Sequence, residues 1–129
     1  MQLRLSSLIS AVALLAAVAT AQGGITTTFG YDNQGRPNEI TIQSTNACIQ
    51  TIFVIGVVVV AHTPTGAKYH SLPFEHDESP QYAEAQWNPP GLPLPPDDMH
   101  HIVIVRYRYY NLCTGLWVTG EAGANYYAG

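Results

Sequence analysis

The sequence predicts one small domain organised around antiparallel β-strands, α+β in class if residues 49–61 form a helix and all-β if they form a strand. Three observations support this. Over residues 102–110, Ile102, Ile104, Arg106, Arg108 and Tyr110 alternate with Val103, Val105, Tyr107 and Tyr109, the period of two that a strand imposes. Residues 25–29 and 39–43 are rich in Thr and Ile and flank Asp32-Asn33-Gln34-Gly35-Arg36-Pro37, a run of turn formers, so they read as an N-terminal β-hairpin. Between the hairpin and the long strand, residues 49–61 form an almost unbroken apolar run with no evident period.

At the N-terminus, Arg4 is the only charge before an apolar stretch at residues 8–18, which is followed by Ala19-Thr20-Ala21 and then Gln22. That is the pattern of a cleaved secretory signal peptide over residues 1–21. The apolar stretch is well short of the ~20 residues that span a bilayer. Removing it leaves residues 22–129, about 108 residues, enough for one domain with a core and too few for two. The expected product is secreted, acts outside the cytosol as a monomer, and keeps no membrane attachment after cleavage.

Residues 49–61 admit two readings. Ser44, Thr45 and Asn46 offer helix N-caps, and Pro64 and Gly66 lie where a helix would stop. The β-branched residues, Val57 to Val60 above all, favour a strand on local grounds. From residue 63 to 98, Pro73, Pro80, Pro89, Pro90, Pro93, Pro95 and Pro96 predict a long looped region with one or two short strands, such as residues 82–87. Asn111-Leu112-Cys113-Thr114-Gly115 then turns the chain into a second strand at residues 116–119, and Gly120, Gly123 and Gly129 give a loop-like tail.

The formal net charge is −4, and losing Arg4 with the leader makes the mature part more acidic still. Non-specific binding to phosphate backbones, which needs an excess of Lys and Arg, is disfavoured. Cys48 and Cys113 are the only cysteines, and in an exported chain they are expected to form one disulfide. His70, His76-Asp77-Glu78, His100 and His101 fit no metal-binding spacing, and no metal or other cofactor is expected. The serines lack a nucleophile-elbow context. Tyr107, Tyr109, Tyr110, Tyr126 and Tyr127 with Arg106 and Arg108 have the composition of a binding hot spot, able also to stack exposed bases. The alternative is that the tyrosines pack one sheet face. Of these, Tyr107, Tyr109, Arg106 and Arg108 are the candidate binding residues.

Short motifs spread over the mature chain carry a resemblance. They are Tyr31-Asp32 with Gly35, Gly66-Ala67-Lys68-Tyr69-His70 with Phe74, Tyr82-Ala83-Glu84-Ala85, Pro96-Asp97-Asp98 ahead of Ile102-Val103-Ile104, and residues 115–125. In this order the chain resembles the small fungal guanyl-specific ribonucleases and their non-enzymatic relatives, the ribonuclease-like effectors of plant-infecting fungi. The resemblance implies an α+β fold, with one helix near residues 45–61 packed across an antiparallel sheet. It makes Glu84 the candidate general base and Tyr69 and His70 catalytic remnants. The site departs from the family where chemistry is most demanding. The proline between Tyr69 and His70 is missing, Met99 stands where an arginine would, and no histidine lies between Trp117 and Gly120. Each such group is worth ~10²-fold or more in rate. The resemblance therefore implies an inactive scaffold that binds a host or neighbouring-cell partner, protein or RNA. The alternatives are a working ribonuclease and an unrelated all-β secreted binding module.

Overall fold

In the computed structural model, residues 19–22, 24–63, 65–89 and 100–127 are described. They form the strands β1 (Ala19–Gln22), β2 (Ile25–Tyr31), β3 (Pro37–Ser44), β4 (Ile49–Thr63), β5 (Gly66–Ser71), β6 (Glu75–Ser79), β7 (Tyr82–Gln86), β8 (His100–Asn111) and β9 (Leu116–Tyr127). Two antiparallel sheets result, in the orders β1-β2-β3-β7-β6 and β5-β4-β8-β9. Residues 1–18 of the expected signal peptide, and Pro96, Asp97, Asp98 and Met99, lie outside the described residues.

The α+β expectation is overturned, because no helix occurs among the described residues and residues 49–61 lie within β4. Two physical reasons account for the misreading. The register of β4 against β8 shifts between Ile49 and Ile52 and again between Val54 and Gly56. Its core-facing residues are consequently Ile49, Ile52, Val54, Val57, Val59 and Ala61, at mixed spacings of three and two. Bulges of this kind erase the period of two that would announce a strand. The strand is also central, paired on both sides. Val58 and Val60 on its other face sit between Ile104 and Ile102 of β8 and Ser71 and Tyr69 of β5, so apolar residues are used on both faces.

The residues that looked like helix caps serve a turn instead. The Asn46 backbone N–H donates to the Ser44 hydroxyl at 3.0 Å, and the Cys48 N–H donates to the Asn46 side-chain oxygen at 2.9 Å. These local bonds carry the chain from the first sheet to the second, a use of Ser and Asn that competes with helix capping.

The predicted hairpin is β2 and β3, closed by the Asp32 side chain, which accepts from the N–H groups of Gln34 and Arg36 at 2.9 Å each. Among the described residues, the region read as loops with one or two strands contains three, β5, β6 and β7. The tail read as a loop continues β9 to Tyr127, paired with β8 along its length. The sheets enclose one core: Ile25, Phe29, Ile40, Ile42, Ala83, Ala85 and Trp87 from the first, Ile52, Val57, Val59, Val103, Val105, Tyr107 and Tyr109 from the second. Trp87 anchors its layer by an edge-on contact with Phe29, centroids 6.4 Å apart, and by donating its indole N–H to the Pro37 carbonyl at 2.9 Å.

Cys48 and Cys113 are bonded, with Cα atoms 5.4 Å apart and 65 positions apart in sequence. The bond ties the β3–β4 turn to the β8–β9 turn. Next to it the Leu112 N–H donates to the Cys48 carbonyl at 2.8 Å. Closing a loop of this length stabilises the fold by about 4 kcal/mol in the loop-entropy account. The double substitution Cys48→Ser/Cys113→Ser is expected to lower the unfolding free energy by about 2–5 kcal/mol, measured by denaturant titration, with the β-rich circular dichroism retained.

Candidate functional site

The ribonuclease-like residues are distributed over both sheets. Glu84 lies on β7 between the buried Ala83 and Ala85, so alternation turns it to the outer face of the first sheet. There it accepts a hydrogen bond from the Tyr82 hydroxyl at 2.9 Å, opposite Thr41 of β3 and Asp77 of β6. Glu75, His76, Asp77 and Gln86 line a shallow hollow with it. Tyr69 and His70 are on β5, at the edge of the second sheet. Tyr69 pairs with Val60 and is 70% exposed, while His70 pairs with the core-facing Val59. His101 is fully buried opposite Ala61. The fold thus puts the candidate base on one sheet and the Tyr69-His70 pair on the other. Among the described residues no cluster of His, Cys, Asp and Glu could hold a metal ion.

The aromatic and basic residues of β8 divide by strand parity. Tyr107 and Tyr109 point into the core, stacked at 6.5 Å with planes 17° apart. The Tyr107 ring lies over Gly120 of β9, where a Cβ would collide with it. Burial raises the pKa of the Tyr107 hydroxyl, and the neighbouring Tyr109 raises it further; burial likewise raises that of Tyr31.

Arg106 and Arg108 face outward on the second sheet. Arg106 is held by Glu121 at 2.7 Å across the β8–β9 pair. Arg108, between Phe53 of β4 and Thr119 of β9, lays its guanidinium over the Trp117 ring, 4.0 Å from the centroid. Trp117 is 53% exposed and touches Phe53 at 6.3 Å and, edge-on, Tyr110 at 5.3 Å between centroids. Leu112, Leu116 and the bulge residue Ile55 are exposed large apolar side chains on the same sheet and its turn. The Asn111 side-chain oxygen fixes the turn, accepting from the Cys113 and Thr114 N–H groups at 2.9 and 3.2 Å. Three rings and a guanidinium therefore stand on a rigid sheet surface beside the disulfide.

Phe53 and Trp117 were not among the candidates read from the sequence. A signal for Trp117 existed: closing the hairpin at Asn111 and Leu116 places it directly opposite Tyr110. Phe53 was hidden by the bulges of β4. No protein-family model matches the chain, and no curated protein is significantly similar to it in sequence.

Two outcomes follow from the buried Tyr107 and the partly buried Tyr31. Because the folded state holds Tyr107 and Tyr31 protonated above the ordinary tyrosine value of about 10, the unfolded chain releases those protons first, and stability falls as pH rises past about 10. Tyr107→Phe is expected to flatten part of that fall in unfolding measured against pH. Gly120→Ala forces the Tyr107 ring aside and is expected to cost about 1–3 kcal/mol in the same assay at neutral pH.

Proposed function

We propose that this is a secreted, non-catalytic binding protein that recognises a protein partner on a host or neighbouring cell through the outer face of its second sheet. The observation that carries the reading is the exposed Trp117, flanked by Phe53 and Tyr110 and overlaid by Arg108. Trp, Tyr and Arg are the residues that dominate binding energy at protein interfaces. Stacking on Trp117 pre-orders the Arg108 side chain, so less entropy is lost when its edge meets an acceptor. Among the described residues no carboxylate pairs with Arg108, whose planar fork suits a carboxylate of the partner. Leu112, Leu116 and Ile55 add exposed apolar side chains on the same sheet and its turn, the kind of surface that a partner removes from water.

The outer face of the first sheet supports catalysis poorly. Glu84 shares its hollow with Glu75, Asp77 and Gln86 and with His76, whose ring is held by Glu78 at 2.7 Å. Cleavage of a phosphodiester also needs a cation on the phosphate, and among the described residues no Lys or Arg lines that hollow. Tyr69 and His70 belong to the other sheet, and Arg106 and Arg108 stand on that sheet's outward side.

Mature protein immobilised and offered host extracellular extract is expected to retain a partner. Trp117→Ala or Arg108→Ala is expected to weaken that binding by about 2 kcal/mol or more, roughly thirtyfold in Kd, while Glu84→Gln leaves it unchanged. Incubation with guanine-containing RNA is expected to give no cleavage. Guanine-specific cleavage abolished by Glu84→Gln would overturn this reading in favour of a ribonuclease.

A further inference from the structure

The sheet edges are unequally protected. An edge strand presents unpaired N–H and C=O groups, and soluble proteins blunt it with charge, proline, glycine or cover. Three edges here follow that rule: β6 carries Glu75, His76, Asp77 and Glu78, β5 carries Lys68 and His70, and β9 carries Glu121 between Gly120 and Gly123. The fourth edge is β1, which covers β2 by antiparallel pairing from Ala19 with Thr28 to Gln22 with Ile25. If the signal peptide is cut after Ala21, as its sequence pattern predicts, only Gln22 of β1 remains. The strand then uncovered, Ile-Thr-Thr-Thr-Phe-Gly-Tyr, has no charge and no proline, and its Thr, Ile and aromatic residues have high β-propensity.

This strand is also close to palindromic in chemistry. About Thr27 it reads apolar, Thr, Thr, Thr, apolar, with Ile25, Thr27 and Phe29 buried toward the core and Thr26 and Thr28 half-buried on the outer face. An antiparallel copy related by a two-fold axis at Thr27 would place Ile25 opposite the partner's Phe29 on the inner face and Thr26 opposite the partner's Thr28 on the outer face. An aromatic residue against a β-branched one, and Thr against Thr, are favourable cross-strand pairs. An isologous contact of this kind closes as a dimer.

We infer that processing after Ala21 uncovers β2 and that the mature protein dimerises by antiparallel β2–β2 pairing with a second copy of itself. The two first sheets then form one continuous sheet, and the dimer carries two copies of the aromatic surface, which adds avidity for a partner with more than one site. The inference rests on leader removal and is independent of what the aromatic surface binds.

The secreted protein, identified by N-terminal sequencing, is examined by sedimentation equilibrium over a range of concentrations. A chain beginning at Gln22 with twice the monomer mass is expected. Thr26→Lys/Thr28→Lys brings four ammonium groups together across the two-fold axis and is expected to give a monomer with unchanged circular dichroism. A native-sequence chain retaining Ala19–Gln22 keeps its own cover and is expected to be monomeric too, a control that survives any folding defect of the lysine variant. A mature chain that stays monomeric overturns the edge pairing. A folded lysine variant or a β1-retaining chain that stays dimeric overturns it by placing the interface elsewhere. A secreted N-terminus upstream of Ala19 overturns the processing premise.

Discussion

The pairing of β4 with β8 is the interaction on which the rest of the structure depends. It is the central pair of the second sheet, and the inward side chains of both strands, Val57, Val59, Val103 and Val105 among them, form most of that sheet's half of the core, with Ala124 of β9 completing it. The two register shifts along it are what let one long strand serve both ends. Bulges increase local twist and re-aim side chains. Here the shift between Val54 and Gly56 leaves Ile55 unmatched and exposed, while Phe53 stays opposite Arg108. The regular β8–β9 register sets Trp117 opposite Tyr110, and the irregularity of β4 fixes which of its residues, Phe53, joins them.

Much of the β-structure was legible because it obeys local rules. The alternation of residues 102–110 correctly separated Tyr107 and Tyr109 from Arg106 and Arg108, and strand parity then decided that the tyrosines pack inside while the arginines face solvent. The hairpin of β2 and β3 was readable from its turn chemistry. The failure at residues 49–61 has two parts: bulges scrambled the periodicity, and Ser44 and Asn46, good N-caps in principle, bond within a turn. The glycines of β9 misled differently, since Gly120 lies in mid-strand to make room for the Tyr107 ring, a contact across strands that no local window contains.

The catalytic reading of Glu84, Tyr69 and His70 depended on a single sheet carrying all three. In the two-sheet arrangement the chain crosses between layers after β5, with the Leu72 N–H donating to the Val57 carbonyl at 2.9 Å as it leaves. Tyr69 and His70 lie before that crossing and Glu84 after it. Motifs adjacent in sequence order are separated by the layer structure, so the fold class decided the site and could not be bypassed by matching short segments.

The two outer faces are chemically opposed, and that opposition orders the functional reading. On the first sheet, Asp77 stands directly opposite Glu84 with Glu75 nearby; like charges opposite each other on a strand pair are unfavourable, and their position at the β6 edge matches the use of charge to keep a sheet edge from pairing. On the second sheet, the cation is drawn onto an aromatic ring, and large apolar side chains are left in water at a cost to solubility. A protein stabilised by one disulfide and a modest core gains nothing in folding from exposing Trp117, Leu112 and Leu116. Their exposure on a disulfide-tied surface is what burial against a partner would remove from water, which is why the proposed binding role is placed on this face rather than on the other.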